Sequence, residues 1–149
     1  MKVTRASSPQ DLMAVKHIFE AFIEFLPTDM GFQGIDDELA TFPKGFECLL
    51  IAKKNGNAIG AVGLKAHSAE VCEMKRLYVT PEGQGCGAGR ALCERLLLEA
   101  KQAGYKTMLL DSLTRLEAAV SLYKKLGFEE TSPYNFNPEN DVIYMRRDL

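Results

Sequence analysis

The chain has 149 residues, 46% of them apolar and 26% charged, which is the size and make-up of one globular domain with a substantial core. Its formal net charge is −2 with acids and bases mixed throughout, so no basic surplus calls for nucleic acid and no acidic tail calls for a disordered partner segment. No apolar run approaches the roughly 20 residues that span a bilayer, and Met1 to Ser8 lack a signal layout, so no membrane partner and a cytoplasmic location are expected.

In chain order, Val3 to Ala6 reads as an opening strand. Ser8-Pro9 then signals a helix start, and Leu12, Val15, Phe19, Phe22, Ile23 and Leu26 give that helix one apolar face up to Pro27. Thr28 to Ile35 is a glycine-containing loop. Asp36, Asp37 and Glu38 open a short helix that ends before Pro43. Phe46 to Lys53 and Ala58 to Lys65 flank Asn55-Gly56-Asn57, which reads as a hairpin. A third strand, Glu70 to Val79, closes at Pro81.

Gly87 to Ala103 carries Leu92, Leu96 and Leu97 on one face and reads as a helix stopped by Gly104. Thr107 to Leu110 reads as a buried strand, and Thr114 as the cap of a helix running to Leu126 and stopped by Gly127. Phe128 to Glu130 and Val142 to Met145 are the last strands, joined by the loop Thr131 to Asp141. With no linker, repeat or low-complexity stretch, residues 1–149 form one mixed α/β domain, antiparallel at first and with a βαβ unit behind.

Cys48, Cys72, Cys86 and Cys93 form no C-x-x-C pair, and His17 and His67 lie far apart, so reduced thiols and no metal are expected. The informative stretch is Tyr78 to Arg90, a strand running into Gly83, Gly85, Gly87 and Gly89 and then at once into a helix. Glycines there admit positive φ and close backbone approach, and a helix start offers N–H groups to phosphate oxygens. Arg90 adds a positive charge nearby. A P-loop is excluded, because no Lys-Ser/Thr follows the glycines. A dinucleotide fingerprint is excluded as well, because Arg90 stands where its last glycine belongs.

Gln84-x-x-Gly87-x-Gly89 after Leu-Tyr-Val, followed by Ala119-Val-Ser-Leu-Tyr-Lys-Lys-Leu-Gly-Phe-Glu129, resembles the GCN5-related N-acetyltransferase (GNAT) superfamily. Its pyrophosphate signature is Q/R-x-x-G-x-G/A, and its second segment reads A-x-x-L-Y-x-x-x-G-F. The resemblance implies a central, mostly antiparallel twisted sheet of about six or seven strands with a splayed pair, flanked by about four helices.

It implies an acetyltransferase that takes acetyl-coenzyme A as cosubstrate and acylates a primary amine, most simply of a small molecule. Acetyl-coenzyme A would lie on the backbone of Leu77, Tyr78 and Val79, with its pyrophosphate on Gln84, Gly85, Cys86, Gly87, Ala88, Gly89 and Arg90. Tyr123 matches the family's tyrosine, the acid for the leaving thiolate; an ordinary phenol pKa of about 10 suits that task. Packing with Leu122 and Leu126 is its bland alternative.

Glu73 is the carboxylate placed to act as base, with an ion pair to Lys75 or Arg76 as its alternative. The acceptor would enter between the loops Thr28 to Ile35 and Thr131 to Asp141, near Phe32, Gln33, Tyr134, Asn135 and Asn137. Arg76 with Lys75 would hold a substrate carboxylate, or else sit on a solvated strand face. Leu116 departs from the family's asparagine seven residues before the tyrosine; Asp111, Ser112 and Thr114 are the polar groups nearby. A non-catalytic acyl-coenzyme A sensor of the same fold is the competing reading, and the family's habit of pairing through edge strands makes a homodimer an expectation.

Overall fold

A computed structural model of the chain describes residues 1–26, 35–137 and 139–149. The elements are β1 (Lys2–Arg5), α1 (Pro9–Phe25), α2 (Ile35–Ala40), β2 (Cys48–Lys54), β3 (Asn57–Ala66) and β4 (Val71–Val79). There follow a 3-10 turn (Pro81–Gly83), α3 (Ala88–Gln102), β5 (Thr107–Leu113), α4 (Glu117–Lys125), β6 (Glu129–Glu130) and β7 (Val142–Asp148). The strands form one sheet in the order β1-β2-β3-β4-β5-β7-β6. Every pairing is antiparallel except that of β4 with β5. This is the element order and the mixed sheet expected from the sequence.

Local chemistry starts and stops the elements where side chains or glycine allow it. The Ser8 hydroxyl accepts from the Asp11 N–H at 3.1 Å, and Pro9 takes the first helical position of α1, where no N–H is needed. Between β2 and β3, Asn55 and Gly56 both hold positive φ, 52° and 80°, the hand that matches the twist of a tight hairpin. Gly104 and Gly127 stop α3 and α4 at φ 96° and 93°.

The sheet is covered on both faces, which explains why β2 reads as an unbroken apolar run. Leu49 and Ile51 face α1, where Val15, Ile18 and Phe19 are buried with Ala61. Leu50 and Ala52 point the other way, joining Val62, Leu64, Cys72 and Met74 under Leu92, Cys93, Leu96 and Ala100 of α3. Each such large aliphatic or aromatic side chain contributes about 1.5–3 kcal/mol of transfer free energy, so the two helices clamp the sheet from opposite sides. Among the described residues, no helix is long and apolar enough to cross a membrane.

Several boundaries differ from the sequence expectation, three of them through contacts between distant residues. Thr114 does not cap α4; its N–H donates to the Asp141 carbonyl at 2.8 Å, and Leu116 takes the cap position without a side-chain hydrogen bond. β5 runs on to Leu113, and β7 runs from Val142 to Asp148, because the two pair over their whole length. Pairing between distant strands sets these ends, and local propensity does not record it.

Candidate active site

The site begins at a fork. β4 and β5 pair only at Val71↔Thr107, Cys72↔Met108 and Glu73↔Leu109. Beyond that rung β4 follows β3 to Val79, while β5 follows β7 to Leu113. The wedge between them opens into a cavity of about 700 Å³, walled on one side by Met74 to Val79 and on the other by Leu110 to Leu113.

A bulge shapes the β4 wall. Ala61 pairs with Tyr78 and Gly63 with Lys75, so Val62 alone faces both Arg76 and Leu77. Arg76 absorbs the extra residue at φ 63°, an uncommon value for a side chain of its size. The bulge also resets the alternation. Leu77 and Val79 pack into the core beneath α3, and Tyr78 packs with the α1 cluster. Lys75 and Arg76, neighbours that a regular strand would aim at opposite faces, both line the cavity.

The glycine loop closes one end. Gly83 is held tightly, since a Cβ there would lie 2.6 Å from Ile59 Cβ and 3.0 Å from its carbonyl oxygen. Gly85 and Gly87 have positive φ, 84° and 81°, and a Cβ on either would meet nothing within 4 Å. Gly87 is the N-cap of α3 and brings no side chain to the helix start, whose first N–H groups have no carbonyl a turn behind them. Gly83, Gln84, Gly85, Gly87, Ala88 and Gly89 all line the cavity. Cys86 and Arg90 do not: the Cys86 thiol donates to the Gly83 carbonyl at 2.9 Å, and Arg90 pairs with Glu94 on the exposed face of α3 at 3.1 Å.

Tyr123 stands on the opposite wall, 6% exposed, its ring edge-on to Phe128 at 5.9 Å. Burial raises its phenol well above the usual range, and the charges of Cys93 and Asp111 add to the rise, so the hydroxyl stays protonated. Asp111, Ser112 and Leu116 share the wall, while Thr114 does not reach it.

On the α1 face of the fork lies a set of charged groups. Glu73 accepts a hydrogen bond from the Tyr134 hydroxyl at 2.7 Å and pairs with Lys75 at 3.3 Å. It sits on the last paired rung and does not itself line the cavity, whereas Lys75 does. Asn135, next in the loop, donates to Asp111 at 3.3 Å, and Tyr144 donates to the Asn135 carbonyl at 3.1 Å. Tyr134 is wedged edge-on between His67 and Tyr144, and burial, then Asp111, then Glu73 push its phenol far upward.

Arg76 pairs with Glu38 of α2 at 3.2 Å, and Lys65 approaches the second Glu38 oxygen at 2.5 Å. Burial alone would raise Glu38, but Arg76 and Lys65 outweigh it and hold the carboxyl below its ordinary value. Phe32 and Gln33 lie outside the described residues.

Sequence reasoning passed over several groups here. Glu38, by sequence an acidic residue at a helix start, is the buried counter-ion of Arg76. Arg115 lines the cavity and pairs with Glu139 and Asp141 at 3.3 and 3.4 Å, tying the 131–141 loop to the start of α4. Phe22 and Phe25 stack against Tyr78 at 5.3 and 5.7 Å along the cavity's outer wall. Phe22 carried a signal as part of the apolar face of α1, and Phe25 carried none.

A forked α/β sheet of this connectivity is the acetyltransferase fold. The chain matches an acetyltransferase from Streptococcus agalactiae 2603 with a TM-score of 0.79 at 17% identity, over 99% of this chain and 98% of that one. A Salmonella typhimurium protein solved with its cofactor acetyl-CoA matches at 0.75 and 24%, over 100% and 94% of the two chains. In sequence, residues 45–130 match the family model described as an acetyltransferase (GNAT) domain. An uncharacterized N-acetyltransferase of Schizosaccharomyces pombe is 36% identical over the whole of this chain and 95% of its own length. An Azospirillum brasilense relative, named IAA acetyltransferase, is 30% identical over 75% of this chain and 74% of its own. The chain belongs to the GNAT acetyltransferase family, as its two motifs suggested, and its class of activity is N-acetyl transfer.

Proposed function

We propose that the chain moves an acetyl group from acetyl-coenzyme A to a primary amine of a small-molecule acceptor, by direct attack within a ternary complex. The observation that carries this reading is that the buried hydroxyl-bearing Tyr123 and the side-chain-free start of α3 open onto one cavity. The residues present fit the cosubstrate. Open space lies where Cβ atoms of Gly85 and Gly87 would stand, so phosphate oxygens can approach the orphan N–H groups. The β4 wall beyond the bulge, Leu77 to Val79, supplies backbone for the extended arm.

Bound acetyl-coenzyme A supplies a thioester whose carbonyl carbon the amine nitrogen attacks, with the C–S bond breaking as the amide forms. The chain's part is to hold the two together and move protons. Glu73, held by Tyr134 and Lys75 just outside the cavity lining, takes the proton that the attacking nitrogen loses through one water. Tyr123, kept protonated by burial, gives a proton to the departing sulfur. The unpaired backbone that the β4 bulge leaves beside the fork is the part of the chain that would take the negative charge developing on the thioester oxygen.

The test is acetyl-coenzyme A-dependent release of free thiol across a panel of amines, with wild type beside Tyr123→Phe and Glu73→Gln. Turnover of at least one amine that both substitutions depress supports the reading. Tight acetyl-coenzyme A binding with no turnover of any amine would favour the sensor reading, which the apolar Leu116 on the arm wall also favours.

A further inference from the structure

Three cations among the described residues line the cavity, and each already holds a carboxylate of the chain itself. Lys75 holds Glu73 at 3.3 Å, Arg76 holds Glu38 at 3.2 Å, and Arg115 holds Glu139 and Asp141 at 3.3 and 3.4 Å. The carboxylates on the wall are less evenly answered. Glu139 is so paired, and Glu117 stands exposed on the first turn of α4, where the helix dipole accommodates it. Asp111 is half-buried on β5 and takes a hydrogen bond from a neutral amide, that of Asn135, at 3.3 Å. Among the described residues no cation pairs with it.

Asp111 lies two positions beyond Leu109, the last β5 residue that pairs with β4, so it shares a face of the sheet with Glu73 and Lys75. On that face the β4 wall turns apolar. Lys75 pairs with Gly63 and Tyr78 with Ala61, so Tyr78 stands two β3 residues, about 7 Å, further along the wall. Phe22 and Phe25 of α1 stack on Tyr78 at 5.3 and 5.7 Å, and all three rings line the cavity. Phe25 is 57% exposed, and of the large apolar side chains left exposed among the described residues it is the one that lines the cavity. An apolar group laid on these rings would leave water and take ring area out of water with it.

We infer that the acceptor is a cationic amine with an apolar, ring-bearing tail and no acidic group beside the nitrogen, its ammonium on Asp111 and its ring on Phe22, Phe25 and Tyr78. This rests on the acetyltransferase reading above and narrows its substrate class. A short alkyl linker spans the step from Asp111 to the rings. A carboxylate beside the amine would enter with no cation left to hold it, and burying it so is unfavourable. In the reaction C–N forms as C–S breaks. Of the two protons that the ammonium gives up, one reaches solvent through Glu73 and the other is balanced by the proton that Tyr123 delivers to sulfur. The amide product carries no charge at nitrogen, so acetylation itself removes the group that Asp111 holds and favours product release.

The experiment offers the full chain acetyl-coenzyme A and three acceptors. These are 2-phenylethylamine, which has both features, ethylamine, which lacks the ring, and phenylalanine, which adds a carboxylate beside the amine. Free-thiol release by wild type should give 2-phenylethylamine a kcat/KM about tenfold or more above either of the others. Asp111→Asn keeps an oxygen for the Asn135 amide and removes the charge; it should raise the KM for 2-phenylethylamine about tenfold while the Kd for acetyl-coenzyme A stays within about twofold. Phe25→Ala should lower the ratio of 2-phenylethylamine to ethylamine turnover about fivefold. Equal or better turnover of phenylalanine or ethylamine by wild type, or a KM that Asp111→Asn leaves unmoved, would overturn the inference and leave the acetyltransferase reading standing. So would turnover of another amine but none of these three. Turnover of no amine by protein that binds acetyl-coenzyme A would overturn both. If Asp111→Asn does not fold, the wild-type ratios decide alone.

Discussion

Tyr134 donates its hydroxyl hydrogen to Glu73 at 2.7 Å across 61 residues of sequence, joining the loop before β7 to the last rung shared by β4 and β5. The contact couples the 131–141 loop to the candidate base. Tyr134→Phe keeps the edge-on packing on His67 and Tyr144 and deletes only the donor. A hydrogen bond to a charged acceptor contributes about 1.5–3 kcal/mol, and this one is part-buried, so denaturant unfolding should show a loss near 1.5 kcal/mol. Steady-state kinetics should show kcat reduced about tenfold with the KM for acetyl-coenzyme A unchanged. Loss of stability with unchanged kcat would make the contact a packing feature only.

Tyr123→Phe separates chemistry from binding. Tyr123 lines the cavity and its ring packs edge-on against Phe128, a contact that phenylalanine keeps, so the variant should melt within about 3 °C of wild type. Acid catalysis by a placed group contributes about 10²–10⁴ in rate, and kcat should fall by at least the lower figure. Because burial lifts the phenol well above its ordinary range, Tyr123 should put no alkaline limb on the wild-type rate profile below pH 10. An alkaline limb that disappears in Tyr123→Phe would contradict the assignment.

Glu38→Gln probes the counter-ion of Arg76. With Arg76 left buried and Lys65 half-buried beside a neutral amide, unfolding at pH 7 should lose about 3 kcal/mol. The sign with pH follows from the lowered carboxyl. The folded chain holds this proton more weakly than the unfolded chain, whose carboxyl titrates near its ordinary 4.5. The stabilisation is therefore full above that value and fades as pH falls through the lower folded one. The stability gap between the two proteins in urea titrations should narrow as pH falls below 4.5; a gap that widens over that range would contradict the pairing.

Gly83→Ala tests the seat of the glycine loop. Its Cβ would fall 2.6 Å from Ile59 Cβ and 3.0 Å from backbone oxygen, so the turn must move off β3. Overpacking of this kind costs about 1–3 kcal/mol, and a shifted turn should weaken acetyl-coenzyme A binding at least fivefold. A variant as stable as wild type would show that the turn gives way freely.

Arg115→Ala cuts the tie between the 131–141 loop and the start of α4. Its ion pairs are partly exposed and contribute about 0–1 kcal/mol, so the melting temperature should hardly change. Hydrogen exchange in residues 131–141 should nonetheless quicken, and the acceptor KM should rise severalfold. Unchanged exchange would mean that Tyr134 and Asn135 hold the loop unaided.

The parts of this molecule that are written locally were legible in the sequence. Ser8-Pro9, Asn55-Gly56 and the glycines at 85 and 87 each demand a particular backbone, Gly83 admits no Cβ, and the apolar spacing of α1 and α3 placed two faces of the core. The parts created by pairing were hidden. Nothing in Lys75-Arg76-Leu77 announces a bulge, because it arises from the register of β3 against β4 and falls on an arginine instead of a glycine or asparagine. The Glu38–Arg76 and Tyr134–Glu73 contacts join residues 38 and 61 positions apart, and no periodicity links them. Thr114 resembled a cap until the Asp141 carbonyl claimed its N–H.

The central claim is that the fork and the glycine loop together hold acetyl-coenzyme A. Calorimetric titration of wild type beside Gly87→Ala and Gly87→Glu tests it most directly. Both variants bear the same strain at φ 81°, about 1 kcal/mol, but only glutamate carries a bulky negative group into the open space at the helix start. The account predicts micromolar binding by wild type, binding within about tenfold by Gly87→Ala, and none by folded Gly87→Glu. Undiminished binding by Gly87→Glu, or no binding by folded wild type, would contradict it.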